Sequence, residues 1–210
     1  MSGPDYSHEQ AEILGGARFV AGVDEVGRGP LAGPVTAAAV ILDVTRIPKG
    51  LNDSKRLTAK RREALAEALV DCCDWAVAHA SVEEIDELNI LRASHLAMCR
   101  ALAALRQRPC IALIDGNMLP RDLDMPGRAI IGGDALCLSI AAASILAKTW
   151  RDRIMVDLAQ QHPGYGWEVN AGYSTAVHRQ GLLDLGVTPH HRRSFAPIHN
   201  ILCKPQTATS

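Results

Sequence analysis

Three short apolar runs that end in acidic residues place the strongest constraint on the fold of this chain. They are Val23-Asp24-Glu25, Ile114-Asp115-Gly116 and Ile131-Gly132-Gly133-Asp134. Short runs of valine and isoleucine are typical of strands that are covered on both faces. Because open α/β sheets bind ligands at the carboxyl ends of their strands, we expect these acids to converge on one edge of a sheet.

Strands and helices alternate along the rest of the chain. The pattern predicts strands at 19–23, 34–42, 75–80, 111–114 and 129–131. It predicts helices from Thr58 to Cys72, from the capping box 81–84 to Leu105 with a break near Asn89, at 136–161 and at 175–185. The first two strands look like a hairpin, so we expect an α/β fold in which helices flank a mixed sheet.

The length of the chain, 210 residues, suits one domain or one domain with a small appendage. We expect a flexible, polar N-terminus at 1–17, a single domain at 18–198 and a tail at 199–210. Within the domain, the region 160–198 is predicted to form a helical appendage at the C-terminal end.

The composition narrows the class of protein and its location. Hydrophobic residues make up 48% and charged residues 21%, which excludes a disordered chain or a coiled coil. A net charge of −1 provides no overall basic field, so a nucleic acid would have to meet a local patch. The six cysteines show no C-x-x-C spacing, and the chain has neither a signal-peptide pattern nor a membrane-length apolar stretch. These features predict a soluble, cytoplasmic monomer with free thiols and no membrane contact.

The acids at the ends of the apolar runs have the chemistry of a metal site. Clustered carboxylates repel one another and raise their pKa values, and a hard divalent cation relieves the repulsion. Oxygen ligands favour Mg²⁺ or Mn²⁺, and three or four carboxylates can hold the two ions that assist in-line attack on a phosphodiester. Because neighbours in a strand point to opposite faces, Glu25 is expected either to lie where the strand breaks toward Gly27 or to contribute through its backbone carbonyl. Helix or loop capping by each acid remains the alternative, above all for Asp134.

Six motifs, in order along residues 18–198, resemble the signature of the bacterial ribonuclease HII family. They are VAGVDEVGRGPLAGP at 20–34, LNDSKRL at 51–57, IDELNIL at 85–91, LIDGN at 113–117, GD at 133–134 with IAAASILAK at 140–148, and HRRSF at 191–195. The resemblance implies a ribonuclease H-like α/β fold with a C-terminal helical extension, which agrees with the independent interpretation of the pattern.

The resemblance also implies a metal-dependent endoribonuclease. Such an enzyme cuts the RNA strand of RNA–DNA hybrids, incises duplex DNA on the 5′ side of a single embedded ribonucleotide and leaves a 5′-phosphate, which implies roles in ribonucleotide excision repair and in RNA primer removal during DNA replication. Asp24, Glu25, Asp115 and Asp134 match the four catalytic acids of the family, which would hold two Mg²⁺ or Mn²⁺ ions. One ion would activate water and the other would stabilise the departing 3′-oxygen. Contacts with replication factors stay open.

The same resemblance assigns substrate contacts. Gly27, Arg28 and Gly29 match the loop of the family that recognises the junction at the ribonucleotide. The two glycines lack side chains, so the backbone of the loop can approach a 2′-hydroxyl closely. Tyr173 matches the tyrosine that packs on the following sugar, and Lys55 is the favoured contact to the phosphate backbone. The alternatives are a tight turn for the glycines, a core aromatic for Tyr173 and a solvated charged face for the basic cluster at 55–62.

Several features depart from the family pattern or suggest another class. Ala171 and Gly133 stand where the family often has lysine, and Thr149-Trp150 replaces the usual Val-Thr. His95 shares a helix face with apolar residues, which indicates a core histidine.

Ribonuclease HIII shares the early signature but carries an additional N-terminal domain. A non-catalytic hybrid-binding module is the alternative outside the enzymes, although such a module would gain little from four repelling acids.

Overall fold

A computed structural model describes residues 3–203 and places a five-stranded mixed sheet at the centre of the molecule. Its strands are β1 (Val20–Val26), β2 (Val35–Ile41), β3 (Asp74–Ala80), β4 (Ile111–Asp115) and β5 (Gly127–Ile130), in the order β3-β2-β1-β4-β5. β1 and β3 each pair antiparallel with β2, whereas β4 runs parallel to both β1 and β5. The predicted mixed sheet, including its opening hairpin, is confirmed.

Helices cover both faces of this sheet. They are α1 (Ser7–Leu14), α2 (Ala59–Cys72), α3 (Val82–Leu88), α4 (Ile90–Ala103), α5 (Leu138–Gln161), α6 (Trp167–Asn170), α7 (Ala176–Leu185) and α8 (Ala196–Leu202), with short 3-10 turns at Ser54–Arg56 and Gly133–Ala135. The predicted break at Asn89 separates α3 from α4. Asn89 adopts a φ of 72°, and its side chain accepts hydrogen bonds from the first amides of α4, which explains why one helix ends and the next begins there.

The core has two main layers because the residues of the central strands alternate between faces. Ala37 and Ala39 of β2 face the cluster that includes α4, whereas Ala38 and Val40 face the cluster that includes α2 and α5. α5 lies close to β1, since a Cβ at Gly22 would overlap the backbone of Ser139. This close approach fixes the long helix beneath the strand that carries two of the predicted catalytic acids.

Within the N-terminus that is predicted to be flexible, 1–17, the structure places α1 against the start of α5. Glu9 of this helix is buried, and its Oε1 accepts hydrogen bonds from the Ser139 amide at 2.6 Å and from the Cys137 thiol at 3.1 Å. Cys137 provides no side-chain cap to α5, so a carboxylate from α1 satisfies that helix end instead. Residues 1–2 lie outside the described residues.

Replacing Glu9 with alanine is expected to lower the stability of the protein by about 1–2 kcal/mol, because the first turn of α5 loses its acceptor. Thermal unfolding would measure the loss. Glu12→Ala, on the same helix, removes only a partly exposed ion pair to Arg128 and should cost below about 1 kcal/mol. Equal stability of the Glu9→Ala and Glu12→Ala variants would contradict this capping role.

The C-terminal elements form a cluster of their own against the end of α5. Tyr165, Trp167, Leu182 and Ile198 pack on Met155 of α5, as expected for a helical appendage at 160–198. α8 continues to Leu202, so the predicted tail at 199–210 begins inside a helix, and its residues 204–210 lie outside the described residues. In the described range 3–203, no helix has the length and apolar character needed to cross a membrane.

Candidate active site

The register of the parallel strands brings the predicted acids to one end of the sheet. Val23 of β1 pairs with Ile114 of β4, so Asp24 and Asp115 follow paired residues on neighbouring strands. The turn that contains Asp134 follows β5, and the amide of Gly133 in this turn donates a hydrogen bond to Asp115 Oδ1 at 2.7 Å. The three aspartates therefore lie around the carboxyl ends of β1, β4 and β5.

The charges of these carboxylates act on one another and raise their pKa values. Burial raises the pKa of Asp24 well above its ordinary value, and the charges of Glu25, Asp115 and Asp134 raise it further. The pKa of Asp134 is also raised, first by burial and then by Asp115, while the charge of Lys55 opposes the shift. Like charges that raise one another's pKa values form a cluster that attracts cations.

Glu25 reaches the cluster from the other face of β1. The predicted break in the strand is not found, since β1 continues through Val26. The Glu25 side chain points toward α4, where it borders a groove with Asp115 and accepts a hydrogen bond from Arg28 Nη1 at 3.2 Å. Burial raises the pKa of Glu25, and Arg28 partly offsets this shift. Regular strand geometry thus places acids on both faces, and Asp115 lies between them.

The donor set suits hard divalent cations, since the four side chains offer carboxylate oxygens alone. Across residues 3–203, no three acidic, histidine or cysteine side chains already lie close enough together to hold a metal ion. Repelling carboxylates are expected to stand apart until cations neutralise them, so the chemistry of the residues fits the group that the resemblance implies.

A cavity away from these acids lies at the opposite end of the sheet. It has a volume of about 610 Å³ and is bordered by Arg18, Asp43, Cys72 and Arg106 among others. None of the sequence-predicted site residues borders it. We therefore place the candidate site at the acids, where neighbouring charges and strand ends coincide, and not at this cavity.

The loop 27–29 follows the two acids of β1. Gly27 has a φ of 91°, and a Cβ at this position would overlap the side chain of Arg151. A Cβ at Gly29 would lie 3.4 Å from the Cε1 atom of Tyr173. The structure thus brings the loop and the tyrosine together beside the acids, although 144 positions separate Gly29 from Tyr173 in the chain.

A buried arginine holds this loop through its carbonyl groups. The guanidinium of Arg192 donates to the carbonyls of Arg28 at 2.9 Å, Gly27 at 2.6 Å and Gly33 at 2.9 Å. The residue is fully buried, and burial lowers its pKa to about 9. The sequence does not reveal this role, because a buried and an exposed arginine look alike in a sequence.

A second buried arginine, Arg151, connects the loop with the segment that carries Tyr173. It donates to the carbonyls of Pro34 at 2.9 Å, Ala32 at 3.1 Å and Ala171 at 2.9 Å. Ala171, one of the departures from the family pattern, adopts a φ of 49° and contributes its backbone here. The substitution at this position therefore leaves the anchoring of the Tyr173 segment intact.

Tyr173 differs from the other late aromatics because its side chain is exposed. Its fractional exposure is 45%, whereas Tyr165 and Trp167 are buried in the C-terminal cluster. The carbonyl of Tyr173 accepts a hydrogen bond from His178 Nδ1 at 3.0 Å, and His178 Nε2 lies 3.0 Å from His191 Nε2. Burial lowers the pKa of His191 to about 4 and also lowers the pKa of His178, so both rings are neutral near pH 7. The pair holds the backbone of Tyr173 in place through the hydrogen bond from His178.

The basic cluster divides into engaged and available side chains. Arg61 donates to the carbonyl of Lys49 at 2.6 Å, and Arg62 donates to the carbonyl of Ser54 at 3.0 Å. Lys55 is exposed in the 3-10 turn Ser54–Arg56, where its charge opposes the rise in the pKa of Asp134. This position next to the acids is consistent with the predicted phosphate contact of Lys55.

Two of the remaining departures, Trp150 and Gly133, have local structural explanations. Trp150 packs on Trp75 with ring centroids 5.0 Å apart, so Trp150 completes a packing contact. A Cβ at Gly133 would lie 2.6 Å from Ile140 Cδ1, and any larger side chain there requires a shift of the neighbouring isoleucine. His95, in contrast, is not a core residue: it is half-buried and borders the groove that starts at Glu25.

Comparison with known proteins agrees with the predicted fold and family. A family model described as Ribonuclease HII matches residues 21–198. The chain is 80% identical over 209 residues to a ribonuclease HII of Paracoccus denitrificans, with 100% of each chain covered. Among solved structures, it is similar to the ribonuclease H2 of Pyrococcus horikoshii, with a TM-score of 0.75, 30% identity and coverage of 87% of this chain and 96% of that one. It is also similar to a ribonuclease HII of Archaeoglobus fulgidus solved in complex with PCNA, with a TM-score of 0.67, 29% identity and coverage of 83% and 93%.

The mixed sheet with acids at its strand ends defines a hydrolase of the ribonuclease H type. The family model and the Paracoccus denitrificans relative each match most or all of the chain, so the chain belongs to the ribonuclease HII family. Enzymes of this family are metal-dependent and cleave the RNA of RNA–DNA hybrids. The predicted family and enzyme class are confirmed.

Proposed function

We propose that this enzyme incises duplex DNA on the 5′ side of a single embedded ribonucleotide, as well as the RNA of continuous hybrids, and leaves a 5′-phosphate. The observation that carries the proposal is the placement of the four acids beside the loop 27–29 and Tyr173. This activity would serve ribonucleotide removal and RNA primer removal by a cytoplasmic, monomeric enzyme.

Asp24, Glu25, Asp115 and Asp134 are proposed to hold two Mg²⁺ or Mn²⁺ ions. When bound, the ions would supply an activated water and stabilise the leaving oxygen of the phosphodiester. The side chains of β1 approach this region from both faces of the strand, which lets Asp24 and Glu25 bind from different directions. Without a bound cation, the ion pair with Arg28 neutralises part of the charge of Glu25.

The loop 27–29 is proposed to recognise the ribose 2′-hydroxyl through its backbone. The carbonyls of Gly27 and Arg28 already accept hydrogen bonds from Arg192, so we expect the loop to use its amide groups. Fixed amides without side chains can approach a sugar closely and distinguish RNA from DNA. Arg192 and Arg151 act as positioning residues in this proposal.

Tyr173 is proposed to select deoxyribose on the 3′ side of the ribonucleotide. A deoxyribose has no 2′-oxygen and leaves room for an aromatic ring, which half-exposed Tyr173 offers next to Gly29. Such packing favours a junction between RNA and DNA over continuous RNA.

Tyr173→Ala is therefore expected to lower kcat/KM at a lone ribonucleotide by about tenfold, or roughly 1.4 kcal/mol. The loss in a continuous hybrid should be smaller, because that substrate gains less from the ring. Tyr173→Phe keeps the ring and should retain the substrate preference of the wild type. Equal losses on both substrates would defeat the proposed junction recognition.

The proposed activity is tested with two duplexes, one all-DNA and one with a single embedded ribonucleotide. With Mg²⁺, we expect one cut on the 5′ side of the ribonucleotide and a 5′-phosphate at the new end. The all-DNA duplex and the EDTA-treated reaction should remain uncut. Cleavage in EDTA, or no cleavage of the ribonucleotide duplex by an enzyme that cuts a continuous hybrid, would overturn the proposal.

A further inference from the structure

A groove leads away from the acids along the N-terminal half of α4. Its inner part has a volume of about 190 Å³ and is bordered by Glu25 and Asp115. Its outer part has a volume of about 260 Å³ and is bordered by Arg92 and Arg121. Both parts share the same wall of three side chains, Leu91, His95 and Met118. We call this continuous channel the α4 groove.

The α4 groove is cationic at its outer part. Arg92 and Arg121 are exposed, and within residues 3–203 neither forms an ion pair, while Asp122 is the acid that borders the same part. The positive charges of both arginines affect His95. Its pKa is lowered first by burial and then by the charges of Arg28, Arg121 and Arg92. Two arginines against the single acid Asp122 leave this part of the groove with a net positive charge, which favours the binding of an anion.

The shape and position of the groove indicate which anion. Arginines on a solvated surface usually project into water. Arg92 and Arg121 instead border a channel that has apolar side chains in its wall and opens onto the carboxylate cluster. Lys55 lies on the opposite side of the cluster, next to Asp134. A strand whose scissile phosphate lies at the acids would therefore meet cationic side chains in both directions, at Lys55 and in the α4 groove.

We propose that the α4 groove binds the phosphodiester backbone of the substrate duplex on one side of the cut, with Arg92 and Arg121 contacting phosphates and His95 lining the wall. This inference rests on the proposed function, because the acids must first fix the position of the scissile phosphate. The contacts carry no sequence information, so they contribute affinity and register rather than specificity.

The test compares two double variants that remove the same charge. R92A/R121A alters the groove, whereas R18A/R108A alters exposed arginines that precede β1 and β4, at the other end of these strands. For R92A/R121A on the ribonucleotide duplex, KM should rise by about fivefold or more, and the slope of log KM against log salt should weaken by about one to two. Its kcat and thermal stability should remain those of the wild type, and R18A/R108A should change neither KM nor the salt slope.

Duplexes shortened on one flank show whether the groove serves one side. The KM penalty of R92A/R121A should vanish on the duplex that lacks the flank bound by the groove and persist on the duplex that lacks the other flank. A penalty that persists on both, or R92A/R121A values equal to those of R18A/R108A, would overturn the inference. Fluorescence anisotropy with Mg²⁺ and the same duplexes, measured on both double variants in an Asp134→Asn background, reports binding without cleavage, so a failure of the proposed incision would be distinguishable from a failure of the groove.

Discussion

Asp24→Asn is expected to lower kcat by at least about a thousandfold, a loss of more than roughly 4 kcal/mol of transition-state stabilisation. The carboxylate lies at the centre of the cluster, where the charges of Glu25, Asp115 and Asp134 all act on it. An amide cannot replace its negative charge toward divalent cations. Asp115→Asn and Asp134→Asn are expected to lose turnover in the same way.

The Asp24→Asn substitution should leave the protein equally stable or more stable in EDTA. The asparagine side chain keeps an oxygen that can accept the Glu25 amide, which donates to Asp24 Oδ1 at 2.7 Å. Because the pKa of Asp24 is raised in the folded state, its ionised form opposes folding above its ordinary range. The gain in melting temperature should therefore be present near neutral pH and shrink as the pH falls toward the ordinary pKa of an aspartate, about 3.9.

Asp184→Asn is the matched control, since this exposed acid on α7 lies outside the cluster. It should retain full activity and an unchanged melting temperature. Normal cleavage by Asp24→Asn would remove the basis of the metal assignment. A marked loss of stability in EDTA would show that the acid serves the fold and not the site.

Arg192→Met is expected to destabilise the protein by about 3–5 kcal/mol, because it leaves several buried carbonyls without donors. The carbonyls of Gly27, Arg28 and Gly33 are the acceptors that would lose this donor. For a chain of this size the melting temperature should fall by about 10 °C. Arg193→Met changes the exposed neighbour and should leave the melting temperature unchanged.

A positioning role for Arg192 also predicts an effect on selectivity. Arg192→Lys keeps the positive charge but cannot reach all the carbonyls at once, so the loop 27–29 should lose its fixed geometry. Assayed well below its melting temperature, this variant should lose more kcat/KM at a lone ribonucleotide than in a continuous hybrid. Stability and selectivity equal to those of Arg193→Met would contradict the anchoring of the loop by Arg192.

The sequence predicts the sheet and the position of the acids because both depend on local patterns. A short apolar run indicates a buried strand, and the end of the run places Asp24 or Asp115 at the sheet edge without knowledge of the tertiary structure. The order of the motifs then identifies the family, and with it the residues of the loop and Tyr173.

Contacts between distant segments could not be predicted in this way. Glu9 caps a helix that begins more than a hundred residues later, and Arg192 bonds a loop near the start of the chain. Neither contact leaves a periodic signal, and both residues are of types that usually lie at the surface. The helical spacing of His95 predicts a core position, but the edge of that helix face borders the α4 groove.

Diffraction from a crystal soaked in Mn²⁺ tests the central claim most directly, since the anomalous signal locates the ion without reference to activity. We expect manganese coordinated by carboxylate oxygens of Asp24 and Asp115, with Glu25 and Asp134 completing the cluster. Manganese bound only elsewhere, or no peak within coordination distance of Asp24 and Asp115 at saturating Mn²⁺, would contradict it.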